Sequence, residues 1–554
     1  MSRQWSLFRV VRNLSLVFGL ALVLGMSPNA CHAAEKGSLE RPESSAPGEV
    51  IVACPSKFQR ALAPWIAHRR AQGFVVTLVD NSGTAEKLRT RIQSSFSGNS
   101  AARFVVLVGD APERNSESIE PEVTSTFFIR AKVNKTLGGG EDIASDNPFA
   151  DFDNDGLPEA AVGRLPADTA EELELLVEKI LDYENGPPGA WQRRINFIAG
   201  VGGFGMLADR AIEMGARRFI TRGIPSAFLT SMTYASWRSP YYPGGENFKK
   251  ATQDRLNEGS LFSVYIGHGN RSGLDYVREK MPFGGVRAYP ILTNRDVNTL
   301  TCESGAPIAL FLACYTGSFD GENDSLAEEL LRRKGGPIAA VCGSRVTMPY
   351  GMSVLGNELI QQCFVERRST LGELMQHAKR GTIENDREDE TSQLLDNVAS
   401  LLNVHGDLAA ERLEHLSLFN LIGDPLLRIN LPEDWDVQAP EIVKPGDRIE
   451  IRVAPKFSAS VQIELCVKHG ELTFDPPVRG ELRGSKAELD ELWDTYTAAN
   501  QPILVAAKTD VRADKEYRVA LKIPKDTRSG EYQIRVLAIG QEKSAVGSAN
   551  LQIQ

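Results

Sequence analysis

The sequence predicts an α/β protein with mostly parallel sheets in two subdomains, followed by an all-β sandwich domain. Short apolar runs alternate with helix-length amphipathic stretches as far as about residue 432, a pattern typical of βαβ units. The run Gly186-Pro187-Pro188 interrupts that alternation, and beyond about Trp435 apolar and polar residues alternate one by one instead. The predicted units are an N-terminal α/β subdomain (48–186), a second α/β subdomain (187–432) and a β-sandwich (433–554).

In the first subdomain, three apolar runs read as strands and the segments between them read as helices. The strands are predicted at 49–54, 74–80 and 104–109, and the helices at 58–72, 84–96 and 171–183. The third helix carries leucines, isoleucine and valine at helical spacing. Asp168 is placed to cap it, with Glu171 completing a capping box.

The same alternation restarts at Ile195 and continues through the second subdomain. The strands are predicted at 195–199, 227–232, 261–266, 308–313 and 338–342, and the helices near 206–221, 248–257, 325–334 and 353–365. In the last region, segments such as EYRVALKIP and EYQIRVLAIG alternate apolar and polar residues between turn signals. This predicts an antiparallel sandwich of the immunoglobulin-like kind, with residues 485–500 as an inserted, helix-like segment.

Composition and charge exclude several classes of protein. The chain has 554 residues, 42% of them hydrophobic and 24% charged, which are globular values and exclude both a disordered chain and a polytopic membrane protein. The net charge of −10, without any long Lys/Arg run, argues against nucleic acid as a partner. Seven cysteines in a chain of this length are too few for a disulfide-stapled scaffold.

The first 34 residues have the features of a secretory signal peptide. Three arginines precede an apolar run over 14–26, and small residues around Ala33 precede Glu35. The run is short for a bilayer span, although an uncleaved N-terminal anchor is the alternative. Residues 35–47 are polar and read as a linker. We therefore expect a secreted, periplasmic or cell-surface protein with no integral membrane segment after signal removal.

Two neighbouring predicted strands end in residues that packing does not require. The strand at 261–266 runs into Gly267-His268-Gly269, and the strand at 308–313 runs into Cys314. Ligands bind at the carboxyl ends of strands in open parallel sheets, so these two residues are expected to share one cleft. A thiolate is a nucleophile, and a nearby imidazole accepts the proton of the thiol. Flanking glycines allow close approach of a substrate backbone.

The other cysteines and histidines lack this context and are interpreted as structural. Five cysteines and five histidines have no glycine turn or partner of this kind: Cys54, Cys302, Cys342, Cys363, Cys466, His68, His377, His405, His415 and His469. Taken singly, a histidine in a glycine turn is more often a turn residue, and a cysteine at a strand end is more often a small buried hydrophobe, than a catalytic group. The sequence also lacks metal-ligand spacings of the CxxC or HExxH type, and no Ser stands in a G-x-S-x-G turn.

The segments that carry His268 and Cys314 resemble the gingipain family of caspase-like cysteine peptidases. The matching motifs, in chain order, are VVLVGD (105–110), SDNPFADFDNDGLPEAAVGRLP (145–166), YIGHGN, FLACYTGSFD and FNLIGDPLLRI (419–429). The resemblance covers roughly residues 48–430. It implies a caspase-like, two-subdomain α/β fold followed by an immunoglobulin-like domain.

The resemblance also implies roles for individual residues. His268 would be the general base, Cys314 the nucleophile, and the amides of Gly269 and Cys314 the oxyanion hole. The family has an acid that orients the histidine, whereas this chain has Gly202 at that position. For the family's substrate pocket, Asp209 and Glu213 are the candidate acids. The chemistry requires no cofactor, and the partner would be a protein or peptide substrate.

Two further motifs suggest other ligands. Residues 200–205 (GVGGFG) match the dinucleotide pattern G-x-G-x-x-G, but the next predicted strand ends without the acid that would hold a ribose. Asp151, Asp153 and Asp155 have the spacing of a calcium loop, although Val162 occupies the twelfth position. Glu159 could contribute instead, and a plain acidic turn is the alternative.

The function predicted from the sequence is an exported cysteine endopeptidase with a Cys-His dyad and possible structural calcium. The first alternative is a catalytically inactive binding or surface protein that keeps the peptidase fold. The second, a dinucleotide-binding oxidoreductase, is disfavoured by the missing ribose acid and by export.

Overall fold

The computed structural model describes residues 48–97, 102–114, 121–200, 223–280, 285–384, 390–402, 407–480, 485–513 and 515–554. The chain divides into a unit of residues Met1–Ser45 and a unit of residues Ala46–Gln554, and the second unit contains every element described below. Several sequence predictions lie outside the described residues: the signal peptide (1–34), the linker (35–47), the helix near 206–221, most of the glycine turn at 200–205 including Gly202, and the pocket candidates Asp209 and Glu213.

The described residues form 25 strands and ten α-helices. The strands are β1 (Glu49–Ala53), β2 (Val75–Val79), β3 (Arg103–Val108), β4 (Phe127–Arg130), β5 (Asp142–Ser145), β6 (Ala161–Leu165), β7 (Arg194–Ala199), β8 (Leu229–Tyr234), β9 (Phe262–Ile266), β10 (Gly269–Asn270), β11 (Gly273–Leu274), β12 (Tyr276–Lys280), β13 (Val286–Pro290), β14 (Ile308–Leu312), β15 (Ala339–Gly343), β16 (Phe419–Ile422), β17 (Glu433–Asp434), β18 (Val437–Gln438), β19 (Ile442–Val443), β20 (Arg448–Val453), β21 (Ala459–Val467), β22 (Ile503–Val511), β23 (Tyr517–Lys522), β24 (Gly530–Ile539) and β25 (Ser544–Ile553). The helices are α1 (Gln59–Ala71), α2 (Ala85–Ser94), α3 (Ala170–Asn185), α4 (Gly245–Asn257), α5 (Leu326–Leu331), α6 (Pro349–Ile360), α7 (Leu371–Glu384), α8 (Glu390–Leu402), α9 (Leu408–Leu418) and α10 (Lys486–Ala499).

One ten-stranded sheet runs through both predicted α/β subdomains. Its strand order is β2-β1-β3-β6-β16-β15-β14-β9-β7-β8. All neighbours are parallel except β15 and β16, which pair antiparallel with Cys342 opposite Asn420. The mostly parallel character is as predicted, but the two subdomains share a single sheet. β16 makes the join, because it pairs with β6 on one side and with β15 on the other.

The two strands at this join were not predicted from hydrophobic pattern. β6 reads AVGRL, and its Arg164 is fully buried. β16 is only four residues long and follows directly on helix α9. A strand with a buried charge and a very short strand both lack the apolar run on which the prediction of buried strands depends.

The last region is all-β in its described residues apart from helix α10. One sheet has the order β17-β25-β24-β21-β22 and the other the order β18-β20-β23. Both sheets contribute to one core, which includes Ile451 from β20, Leu521 from β23, Ile463 from β21 and Ile534 from β24. The predicted sandwich and its helical insertion are thus present. Its assignment to the immunoglobulin-like class stays a prediction.

The sandwich packs firmly on the second half of the large sheet. The guanidinium of Arg193 binds the carboxylate of Glu464 through two hydrogen bonds of 2.6 and 3.0 Å, and both side chains are buried. From helix α10, the Tyr496 hydroxyl lies 2.9 Å from the Thr233 hydroxyl. Asn500, which follows α10, hydrogen-bonds both backbone groups of Met232 on the edge strand β8. The inserted helix therefore covers the open edge of the α/β sheet.

Candidate functional site

Strands β9 and β14 are parallel neighbours, and their register pairs Ile266 with Leu312. His268 and Cys314 each follow by two residues, so the register places them at the same level of one sheet edge. The amide of Gly267 donates to the Leu312 carbonyl at 3.3 Å and extends the pairing past the strand end. His268 and Cys314 are both half-buried. They lie at the carboxyl edge of the strands, where parallel sheets bind ligands.

Gly269 packs directly against the backbone of Cys314. A Cβ atom at Gly269 would lie 2.8 Å from the Cys314 carbonyl oxygen and 3.1 Å from Cβ of Ala313. Only glycine allows this approach without displacing backbone. The structure thus brings together His268, Gly269 and Cys314, the three residues that the sequence predicted for the site.

The turn after Cys314 is held in an uncommon backbone conformation. Tyr315 has φ = 57°, in the left-handed region that non-glycine residues seldom adopt. Its amide donates to the Arg345 carbonyl at 3.0 Å. The Arg345 guanidinium binds both carboxylate oxygens of Asp320, at 2.5 and 2.8 Å. Strained backbone persists where the surroundings fix it, and such positions cluster at active sites.

The turn that carries His268 is tied to the turn that carries Cys314. The Tyr265 hydroxyl donates to the His268 carbonyl at 2.7 Å, and burial raises the pKa of Tyr265, which keeps the phenol protonated. Arg271 donates to the Ser318 hydroxyl at 2.8 Å, and the Leu326 amide donates to the Arg271 carbonyl at 2.7 Å. The bond between Arg271 and Ser318 joins the two turns, while the other two bonds hold the His268 turn to strand β9 and to helix α5.

Thr347 is a neighbour of the Cys314 sulfur that the sequence did not single out. Its amide nitrogen lies 3.3 Å and its hydroxyl oxygen 3.6 Å from Cys314 Sγ. It follows strand β15, which ends at Gly343, and precedes helix α6; the sequence analysis did not single out this strand end.

Cys314 differs from the other cysteines in its exposure. The described residues include six cysteines, all free thiols, and Cys314 is the one that is not buried. Burial raises the pKa of the other five: Cys54, Cys302, Cys342, Cys363 and Cys466. The value is about 12 for Cys54 and for Cys466, so these thiols are protonated and unreactive at neutral pH. They fit the structural role predicted for them.

Comparison with known proteins shows the family to which the α/β part of the chain belongs. A model of peptidase family C25 matches residues 43–430, which include both the His268 and the Cys314 turns. The chain belongs to peptidase family C25. The resemblance to gingipain-type cysteine peptidases is thereby confirmed.

Individual relatives of this C25 family member are distant. Lys-gingipain W83 from Porphyromonas gingivalis is 23% identical over 320 residues, which cover 55% of this chain and 16% of that protein. Lys-gingipain HG66 from the same organism is 21% identical over 318 residues, with the same coverage. The chain thus spans about a sixth of the length of these curated relatives.

One solved structure supports the fold of this C25 family member. A chain described as "Structure of Protease" is 16% identical, with a TM-score of 0.51 over 91% of this chain and 97% of that chain. The Arg-specific cysteine proteinase gingipain R is 14% identical, covers 93% of this chain and 99% of that chain, and has a TM-score of 0.48. The first likeness supports a shared fold, and the caspase-like α/β prediction is consistent with the large mixed sheet.

The predicted calcium loop places its carboxylates differently from the spacing argument. Oxygen atoms of Asp151, Asp153 and Glu159 lie within 4.8 Å of one another. The Asp155 carboxylate instead accepts the Leu157 amide at 2.7 Å. The backbone turns sharply at Gly156, where φ is 90°, and Glu159 follows that turn. Glu159, rather than Asp155, thus lies with Asp151 and Asp153, and all four carboxylates accept amides of their own loop.

A second group of carboxylates includes two residues that flank Leu326, whose amide binds the Arg271 carbonyl. Oxygen atoms of Asp110, Asp324 and Glu328 lie within 4.8 Å of one another. Burial, and then the charge of Glu328, raise the pKa of Asp110 to about 8, and burial raises that of Asp324 to about 6. The Arg332 guanidinium lies 2.6 Å from a carboxylate oxygen of Asp324 and 2.6 Å from a carboxylate oxygen of Asp168. Arg332 thus supplies one positive charge to more than one carboxylate.

The described helices contain no segment long and apolar enough to cross a membrane.

Proposed function

We propose that this chain is an exported cysteine endopeptidase whose dyad is His268 and Cys314. The observation that carries the proposal is the exposure and placement of one thiol. Cys314 is the described cysteine that is not buried, and the strand register sets it level with His268 at the sheet edge. Membership of a peptidase family supports peptide bonds as the substrate. Export stays a prediction from residues 1–34.

The proposed reaction has two steps. His268 accepts the thiol proton, and the Cys314 thiolate attacks the peptide carbonyl to form a tetrahedral oxyanion. Amides of Gly269 and Cys314 donate to that oxyanion. The C–N bond then breaks, and the amine leaves with the proton from His268, so that an acyl-enzyme thioester remains. Water gives its proton to His268, attacks the thioester and releases the acid, and the thiol is regenerated.

An inactive, peptidase-fold binding protein is the alternative that this proposal must exclude. The absence of an orienting acid at Gly202 favours the alternative, and the register of the two strands that lead to His268 and Cys314 opposes it. A dinucleotide enzyme gains no support, because most of the glycine turn at 200–205 lies outside the described residues.

Alkylation by iodoacetamide at pH 7 tests the proposal. In the chain without residues 1–34 we expect one thiol to react, and His268→Ala to slow that reaction about tenfold or more, because the imidazole no longer supports the thiolate. Cys314→Ala should abolish both the labelling and the hydrolysis of a fluorogenic peptide library. His377→Ala, a half-buried histidine on helix α7, serves as the matched control. Labelling equally fast in His268→Ala, without peptide hydrolysis by the unaltered chain, would establish the inactive alternative.

We also propose that calcium binds Asp151, Asp153 and Glu159 and stabilises their loop. Their converging oxygens are the hard ligands that calcium prefers, and burial raises the pKa of both Asp151 and Glu159. Calcium in excess should raise the thermal midpoint relative to EDTA, and Asp153→Asn should reduce that gain. Asp155→Asn is the matched control and should keep it. Equal midpoints in calcium and in EDTA would contradict the site.

A further inference from the structure

We propose that Thr347 is a third residue of the active site, which stabilises the Cys314 thiolate through its amide and its hydroxyl group. The inference rests on the proposed function, because it assumes that Cys314 acts as the nucleophile. It supplies a partner for the sulfur itself, whereas the acid that the family uses acts on the histidine.

The three contacts between Cys314 Sγ and Thr347 favour different protonation states of the thiol. The thiol hydrogen can be donated to the Thr347 carbonyl, 3.7 Å away, and this contact is available only to the protonated form. The Thr347 amide donates to the sulfur at 3.3 Å, and its hydroxyl oxygen lies at 3.6 Å. Donors favour the charged form of an acceptor, so two of the three groups support the thiolate.

The Thr347 hydroxyl lies between two sulfur atoms. It is 3.0 Å from Sδ of Met352, to which it donates, and 3.6 Å from Sγ of Cys314. A hydroxyl hydrogen rotates to suit its surroundings. A charged acceptor forms the stronger hydrogen bond, so the O–H turns from Met352 to Cys314 once the thiol proton has moved to His268. No proton leaves Thr347 in this step.

The position of Thr347 is fixed by packing and by a buried histidine. Thr347 is 3% exposed, and a Cβ atom on Gly343 would lie 2.6 Å from its methyl group. The amide of Met348 donates to Nε2 of His415 at 3.1 Å, while Nδ1 of His415 donates to the Glu411 carbonyl at 2.7 Å. Burial lowers the pKa of His415 to about 4, so its ring is neutral and Nε2 remains an acceptor.

Helix α6 adds to the same effect. It begins at Pro349, two residues after Thr347, and runs for 12 residues. The partial positive charge at its N-terminus is therefore close to the sulfur and favours a thiolate there. Tyr265 and Tyr315 are titratable neighbours that interact with Cys314. Burial raises the pKa of both tyrosines, so they stay neutral around pH 7.

The test is the pH dependence of Cys314 alkylation in three forms of the full chain: unaltered, Thr347→Val and Thr347→Ser. Valine keeps the shape and the amide but removes the hydroxyl. In the valine form we expect the midpoint of the rate profile to lie about one pH unit higher. A shift of this size corresponds to the loss of one hydrogen bond to a charged group. Serine restores the hydroxyl and should restore the midpoint. Thr382→Val, which removes a buried hydroxyl bonded to the Lys379 carbonyl, should leave the midpoint unchanged.

The outcomes separate this inference from the proposed function. Identical midpoints in the unaltered and valine forms would overturn the role of Thr347, while His268-dependent labelling could still support the dyad. A profile in the unaltered chain that is indifferent to His268→Ala would overturn the proposed function itself. If the valine form fails to fold, a serine form with an unaltered midpoint and an alanine form with a raised one carry the same test.

Discussion

Replacement of Arg164 by methionine is expected to destabilise the α/β part by about 3–5 kcal/mol. Arg164 is fully buried and binds both carboxylate oxygens of Asp146 at 2.8 Å. Methionine fills a similar volume but leaves the Asp146 charge without its counter-ion inside the protein. Urea unfolding followed by circular dichroism measures the loss.

Backbone groups add to the cost of this replacement. The Arg164 guanidinium also donates to the carbonyls of Gly109, Asp110, Thr124 and Ser125, over 2.9–3.2 Å. These acceptors would lose their donor in a dry environment, and an unsatisfied buried polar group costs about 1–3 kcal/mol. The guanidinium also stacks 5.3 Å from the ring of Phe319, in the turn after Cys314. We therefore expect alkylation of Cys314 to change as well.

Two variants control for this prediction. Arg164→Met combined with Asp146→Asn removes both charges and should recover part of the lost stability, since the buried unpaired carboxylate is gone. Arg518→Met removes an exposed arginine whose partners Glu450 and Glu516 are also exposed, and should change stability by less than about 0.5 kcal/mol. A loss below about 1 kcal/mol in Arg164→Met would contradict the role assigned to the buried pair.

Replacement of Asp110 by asparagine is expected to stabilise the protein at alkaline pH and to have little effect near pH 4. The pKa of Asp110 is raised to about 8 in the folded chain by burial, and then by the charge of Glu328. An unfolded aspartate titrates near 4, so the folded state binds a proton that the unfolded state has lost. The stability of the unaltered chain therefore falls as the pH rises from about 4 to about 8.

Asparagine resembles the protonated carboxyl, so the Asp110→Asn form does not lose this stability as the pH rises. The difference in stability between Asp110→Asn and the unaltered chain should be small at pH 4.5 and reach about 2–3 kcal/mol at pH 8.5, when discounted for relaxation of the site. Calorimetric midpoints at pH 4.5, 6.5 and 8.5 measure it. Glu542→Gln, an exposed carboxylate in the sandwich, is the control and should show no such trend. A constant or acid-favoured difference would contradict the prediction.

The sequence predicts the site residues because their strands are strongly apolar and their ends are not. β9 and β14 are short buried runs, and glycines or a cysteine follow them directly. Parallel pairing then brings strand ends to a common edge, whatever the details of the helices between them. Thr347 lies four residues beyond Gly343, which ends strand β15, and its contact with the sulfur depends on the path of the chain after that strand. Only the three-dimensional path places it beside the sulfur.

Two smaller differences between prediction and structure both concern the group that a carboxylate binds. Asp168 was predicted to cap helix α3, but Thr169 is the cap and accepts the Glu172 amide at 3.2 Å. Asp168 instead binds Arg332, the residue that follows helix α5, at 2.6 Å. Likewise, Asp155 caps a nearby amide while Glu159 joins the acidic cluster. For Asp168 the partner, Arg332, is distant in sequence, so the local pattern does not contain it.

The contact between Asn500 and strand β8 has a consequence for biosynthesis. Met232 and the side chain that covers it are 268 positions apart in the chain. At translation rates of about 5–20 residues per second, the edge of β8 therefore waits roughly 15–50 seconds before its cover has been made. An uncovered strand edge is a template for pairing with other chains. During this interval the uncovered edge of β8 can pair with the strand of another chain. A chaperone that covers the edge would prevent that pairing until residue 500 has been made.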